Sequence, residues 1–355
     1  MTDNKYNIPK VIVDKKEEYE LAKITEAYNK MIKPNAVDKA IDKIGENIPE
    51  SVKGFVGDIK EKATENEIFI KSMEYLGKGF NVLEEYAAKV TLSESQILKQ
   101  INEAVPYNQI TSLDEICLLR SYEIRNVVNK NKFVDVIAAL VEGAATGAPG
   151  FVGIPFNVVL STFLFYRAVQ SIALFYGYDI KNDPAELEIA SEVFMNALNP
   201  KDNSEIEASS GLVAKIMLLS TATAVKQTVK KGWTAMASKG GVHLLLVQMR
   251  ALANASAKKA LEKAGQKGLE KAVFSEVFEQ IGKKLTQKAI GRVIPVFGAV
   301  VGATIDTAQM IQIIKYADMF YCKRFILEKE ARIDVVTSGT PEANIIPDLS
   351  EVAFS

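Results

Sequence analysis

From Gly143 to Tyr166 the chain runs 24 residues without one charged side chain. A stretch of that length can cross a bilayer or fill the centre of a helical protein. Gly143, Gly147, Pro149, Gly150, Gly153 and Pro155 interrupt its first half, and Arg167 lies inside the helix that the second half opens. An arginine in mid-span costs about 2.5–3.5 kcal/mol to insert. The run is therefore expected to be a buried core helix rather than a membrane span.

Helical signals surround it. Ser93 with Gln96, Ser112 with Glu115, and Asp183-Pro184 with Glu186 each pair an N-cap residue with a nearby acceptor for free N–H groups. Val37, Ile41, Ile44 and Ile48 recur at spacings of three and four, with Asp38, Lys39, Asp42 and Lys43 on the other face and Pro34 and Pro49 as brackets. Comparable helices are expected over 10–32, 66–89, 112–129, 156–177, 184–197, 210–237, 242–264, 268–289 and 304–330. No segment alternates with a strand period beside a hairpin turn, so the fold class is all-α.

A second glycine- and proline-rich apolar segment, 291–303, also leads into a long helix. Each of the two helices carries a basic residue about midway, Arg167 and Lys315. Gly298 and Gly302, like Gly143 and Gly147, stand four apart, a spacing that lets helix backbones approach closely. The expected architecture is a compact multi-helix domain with two central Gly/Pro-led apolar helices packed together. At 355 residues the chain divides into charged amphipathic helices over 1–90, a helical core over 91–330 and an irregular tail over 331–355.

Charge is balanced in total, 43 basic to 44 acidic side chains, which removes the simplest case for a nucleic-acid binder. Along the chain it is not balanced. Residues 131–200 carry 3 basic and 7 acidic side chains, whereas 201–290 carry 15 and 7. Within that basic stretch Lys226, Lys230 and Lys231 precede the only tryptophan, Trp233, and Lys258, Lys259, Lys263, Lys267 and Lys271 repeat at helical spacing. Lysines near an anionic bilayer contribute about 1 kcal/mol each. The plainer reading is a solvated face balancing acidic helices elsewhere. Aromatic residues do not interleave with these lysines, as a single-strand binder would require.

Two cysteines, Cys117 and Cys322, and one histidine, His243, supply neither a zinc framework nor an obvious catalytic triad. The chain has no G-x-S-x-G elbow, no phosphate loop and no H-E-x-x-H helix. Gly282-Lys283-Lys284 reads as a helix turn, and His243 as a packing or capping residue at the start of an apolar helix. Glu142, Asp179, Asp306 and Asp318 stand in apolar settings, with Arg167 and Lys315 as their expected counter-ions in structural salt bridges. No metal, cofactor or catalytic residue is assigned.

The block EGAATGAPGFVGIPFNVVLSTFLFYRAVQSIALFYGYD, followed far downstream by KAIGRVIPVFGAVVGATIDTAQMIQIIKYADMFY, resembles the two signature blocks of the bacterial EcsC family. Matching positions are Gly143, Thr146, Gly147, Gly150, Gly153, Arg167 and Tyr176-Gly177-Tyr178-Asp179, then Pro295, Gly298, Gly302 and the stretch from Ala317 to Tyr321. Asp306 departs from the asparagine or small polar residue common there. The resemblance covers about 90–330. It implies a membrane-related role, since the family's namesake is linked to an operon encoding a bacterial ABC transporter, and it implies no settled biochemical activity.

Together these features lead us to expect a non-enzymatic protein. With no secretory signal in the first twenty residues it is expected in the cytoplasm, and the lysine-rich stretch leads us to expect it at the inner face of the cell membrane. It would contact anionic lipid or a membrane protein complex through Lys226, Lys230, Lys231, Trp233, Lys258, Lys259 and Lys263. The alternatives are a helical binding protein with an apolar cavity for a lipid or amphiphile, and a hydrolase built on Asp179, Asp306 and Arg167. The sequence leaves the oligomeric state open.

Overall fold

The computed structural model describes residues 6–32, 65–144, 154–198, 200, 208–218, 241–286 and 307–338. Among them there is no strand. The α-helices are α1 (Lys15–Ile32), α2 (Glu65–Ala87), α3 (Glu94–Ala104), α4 (Ser121–Lys130), α5 (Phe133–Ala144), α6 (Ile154–Phe175), α7 (Pro184–Leu198), α8 (Ala208–Leu218), α9 (Gly241–Ala264), α10 (Leu269–Thr286) and α11 (Thr307–Ser338).

The second half of the uncharged run, from Ile154, opens α6, and its burial explains its composition. From Val158 to Phe175 it is long and apolar enough to cross a membrane, yet 94 % of that window is buried inside the protein. A helix covered on every side needs no polar face. α2, α5, α7 and α11 pack against it. α11 in turn touches α1, α4, α5, α7, α8 and α9. The two central helices thus pack on each other as the sequence indicates, with α7 against both. The glycine- and proline-rich positions 147–153 and 291–306 lie outside the described residues, as does the helix expected over 37–48.

Aromatic side chains fill the junction of α2, α6, α7 and α10. Phe163 meets Phe80 at 5.2 Å and Phe274 at 4.7 Å between ring centroids, and Tyr166 meets Phe194 at 5.9 Å. Tilted and edge-on arrangements at these distances are the favoured aromatic geometries. α1 and α2 contribute ordinary amphipathic stripes: Leu21, Ile24 and Tyr28 on one, Leu76, Phe80, Leu83 and Ala87 on the other.

The capping signals resolve in three different ways. Ser93 and Gln96 form the reciprocal box, with the Ser93 N–H donating to Gln96 Oε1 at 2.8 Å. Glu115 instead reaches back to the Thr111 N–H and hydroxyl. The chain there makes a short 3-10 turn, Asp114–Leu118, and then extends through Leu119 before α4 begins. The single helix expected over 112–129 is consequently two elements. At α7, Asp183 caps the Ala185 N–H at 2.9 Å, but Glu186 faces the core. α3 marks the run that Ser93 opens, α5 is a helix outside those expected from the sequence, and α11 continues to Ser338 rather than ending near 330.

Candidate functional site

α11 carries the chemistry of this fold, because charged side chains occupy core positions along it. Lys323, Arg324 and Lys329 are fully buried and Asp318 nearly so. Ions in such a place need partners, since isolated burial costs several kcal/mol each. Most of the partners come from distant parts of the chain.

Arg324, Glu328 and Arg332 repeat every four residues on one side of α11, and Tyr178 meets all three. Its ring lies 4.0 Å from the Arg324 guanidinium and 4.6 Å from that of Arg332, and its hydroxyl donates to Glu328 Oε2 at 2.9 Å. Burial pushes that hydroxyl well above its ordinary pKa, with Glu328 adding to the effect. Arg324 also forks onto Glu186 at 2.6 and 2.8 Å. Arg250 of α9 reaches the same carboxylate, and Asp183 at 3.0 Å. Burial alone would raise the Glu186 carboxyl, but Arg324 and Arg250 outweigh it and hold the group below its usual range.

Arg332 serves the end of α6. Its guanidinium donates to the carbonyls of Tyr176 and Gly177 at 2.9 and 2.8 Å, groups that a helix C-terminus leaves unsatisfied. Gly177 sits at φ +79°, and a Cβ there would lie 2.6 Å from the Leu113 carbonyl oxygen. Only glycine fits that exit. Tyr176 is buried and donates to Asp318 Oδ1 at 2.7 Å, and Asp179 accepts from the Lys181 and Asn182 amides at 3.0 and 3.1 Å. The Tyr-Gly-Tyr-Asp run is therefore the joint that turns α6 into α7.

On the other side of α11, Lys329 lies 2.7 Å from Glu17, which also receives Arg120 at 2.9 Å and the Ser121 N–H at 3.0 Å. Asp318 is held by Arg125 at 2.7 Å. The counter-ions therefore differ from those expected: Arg125, not Lys315 or Arg167, answers Asp318, and Lys315 is exposed. Arg167 instead pairs with Glu270 of α10 and donates to Gln170 Oε1 at 3.2 Å. α10 approaches α6 at that level, and its carboxylate is the nearest one to the arginine.

A cleft of about 560 Å³ opens beside this joint, lined by Tyr178, Asp179, Asp183, Arg250, Arg332 and Val336 among others. Its polar walls largely satisfy one another: Asp179 takes backbone amides, Asp183 takes Arg250, and Arg332 takes carbonyls. Between α7, α8 and α9 an apolar hollow lined by Ile189, Leu212, Val213, Met249 and Leu252 holds only about 20 Å³, space for a single water. Glu188 stands at its edge with its carboxyl pushed up to about 7 by burial and then by Glu276 and Glu192. Among the described residues no group of three or more His, Cys, Asp or Glu is placed to hold a metal ion.

The basic stretch is described where α9 turns into α10. Lys258, Lys259, Lys263 and Lys267 are exposed around this hairpin, with Glu262 as the exposed acid among them. Lys271 leans on α2, donating to the Gly77 carbonyl at 3.0 Å. The apolar residues of the same segment, Ala257, Leu269, Val273 and Phe274, are buried. Lys226, Lys230, Lys231 and Trp233 lie outside the described residues, as do Gly147, Gly150, Gly153, Pro295, Gly298, Gly302 and Asp306. Gly143 falls in the last turn of α5 and His243 in the first turn of α9. Asp179 and Arg167 engage separate partners.

Glu17, Arg120, Glu186, Arg250, Lys323, Arg324 and Lys329 are the site residues that sequence reasoning missed. One signal was present: Glu17 continues the Leu21, Ile24 and Tyr28 stripe at helical spacing. The sequence model of the EcsC protein family matches residues 15–326. Neither a curated protein nor a solved structure shows a match to the chain.

Proposed function

The chain belongs to the EcsC protein family, and from its charge layout we propose that it is a non-enzymatic, cytoplasmic protein peripheral to the inner face of the cell membrane. It meets anionic lipid, or the anionic surface of a membrane protein complex such as an ABC transporter, through the basic hairpin. One observation carries this reading. Lys258, Lys259, Lys263 and Lys267 are all exposed over the end of α9 and the turn that follows, while Ala257, Leu269, Val273 and Phe274 of the same segment are buried.

Such a surface adsorbs by charge and does not insert. Four lysines at about 1 kcal/mol each give weak, reversible attachment, and salt at physiological strength screens it beyond about 8 Å. Lys226, Lys230, Lys231 and Trp233 would add to the same attraction. The 20 Å³ apolar hollow gives the amphiphile-cavity alternative less support, and the engaged states of Asp179 and Arg167 do the same for a hydrolase.

Pelleting with vesicles tests the reading. The protein is expected to sediment with phosphatidylglycerol/phosphatidylcholine vesicles at low salt, to be released in 0.5 M salt, and to lose binding in a Lys258→Glu/Lys259→Glu/Lys263→Glu variant. Equal sedimentation with pure phosphatidylcholine would overturn it.

A further inference from the structure

Lys323 is unlike the other buried lysine of α11. Lys329 has the Glu17 carboxylate at 2.7 Å, whereas Lys323 donates to the Met217 carbonyl at 2.7 Å and to the Thr25 hydroxyl oxygen. Both acceptors are neutral. Among the described residues no carboxylate lies within 4 Å of its amine. The two acceptors belong to different helices, Met217 to the last turn of α8 and Thr25 to the middle of α1. Thr25 is in turn fixed by its own hydroxyl donating to the Leu21 carbonyl at 2.8 Å.

Counting hydrogens shows which protonation state this seat accepts. A neutral amine has two N–H donors and finds two acceptors, while an ammonium brings a third donor and an unanswered charge. The carboxylates of neighbouring elements are committed elsewhere. Glu20 of α1 takes the Ser121 hydroxyl at 2.7 Å, Asp318 of α11 holds Arg125, and Glu186 of α7 holds Arg324. Cys322 points its thiol at Glu20. Lys215 of α8 is half-buried, and Glu188 of α7 faces α8 from the side of Leu212 and Val213.

We propose that Lys323 is a pH-sensitive latch: as a neutral amine it ties the end of α8 to α1 on the central helix, and on protonation it leaves this seat and frees α8. Burial pushes its pKa from 10.5 down to about 7. Because the folded value is depressed, the stability linked to this group is fully present above 10.5 and is lost as pH falls toward 7. Glu188 acts with the opposite sign, since its raised value favours the closed form in acid. The two groups therefore separate by the direction of their effects.

Hydrogen exchange of the amides from Ala208 to Leu218, corrected for intrinsic rates, tests the latch between pH 6 and 9. Wild type and Glu188→Gln should both gain protection above pH 7, about tenfold per pH unit where opening exposes the amine. Lys323→Met should show no such rise. A flat wild-type profile, or a slope that survives in Lys323→Met, overturns the proposal. Should Lys323→Met fail to fold, carbon-13 NMR of lysine Cε in the wild type and in Lys329→Met decides. Burial also lowers the Lys329 amine, so the expected result is a lysine that titrates near pH 7 and persists in Lys329→Met, and the contrary one is that no such lysine remains in that variant.

Discussion

Arg324 and Glu186 meet through two parallel hydrogen bonds of 2.6 and 2.8 Å, with both side chains almost wholly buried. Removing Arg324 leaves the buried Glu186 to Arg250 alone, and breaking a buried pair costs about 3–5 kcal/mol when no partner remains, which sets the upper bound here. Arg324→Met should lower the unfolding free energy obtained from urea titration by up to that amount, and Arg324→Met/Glu186→Met should recover part of the loss. Glu186 is held below its ordinary value of 4.5, so its contribution is present above pH 4.5 and lost as pH falls through the depressed value. The acid loss of stability should be shallower in Arg324→Met than in wild type.

Gly177→Ala would place a Cβ 2.6 Å from the Leu113 carbonyl oxygen and against the Arg332 guanidinium, in a left-handed conformation. Strain of this kind costs about 1–3 kcal/mol before any clash is counted. Thermal unfolding should show a drop of at least about 2 kcal/mol. A smaller drop would mean that the joint between α6 and α7 yields more easily than its contacts indicate.

Glu188→Gln should stabilise the protein at pH 8. The carboxyl is raised from 4.5 to about 7, so its stability is present below 4.5 and lost as pH rises through 7. Replacing it with a neutral amide should gain on the order of 2 kcal/mol at pH 8 and close to nothing at pH 4.5. Urea titrations at the two pH values check this.

Gly282 packs beneath the ring of Phe69, which stacks on Phe278 at 5.9 Å. An added methyl would overlap that ring, and overpacking of this kind costs about 1–3 kcal/mol. Gly282→Ala should therefore destabilise the wild type but cost much less in a Phe69→Ala background. A double-mutant cycle measures the coupling.

Apolar patterning in the sequence carries straight into the architecture. The second half of the charge-free run opens a helix that is almost wholly buried, and Ser93 with Gln96 gives the helix start it indicates. Both are local properties of consecutive residues. The charged seam is not local. Lys323, Arg324 and Lys329 read like solvated positions because their partners Thr25, Glu186 and Glu17 lie far away in sequence. Glu186 shows the difficulty at one position: it stands near a helix start where an acid ordinarily binds backbone amides, yet two arginines from other helices claim it. Asp318 likewise has Lys315 one turn away on its own helix, but Arg125 reaches it through the core. The exposed hairpin lysines were legible because density of one charge sign needs no partner to be read.

The order in which the chain leaves the ribosome gives the burial of α6 a temporal meaning. α2 precedes it and can cover one side at once, but α11 is completed only at Ser338, more than 160 residues later. At roughly 5–20 residues per second, a segment with the length and hydropathy of a membrane span remains part-uncovered for about 10–30 seconds. During each synthesis it has for that time the exposed surface of a membrane protein, and it becomes an interior helix only when α11 closes over it.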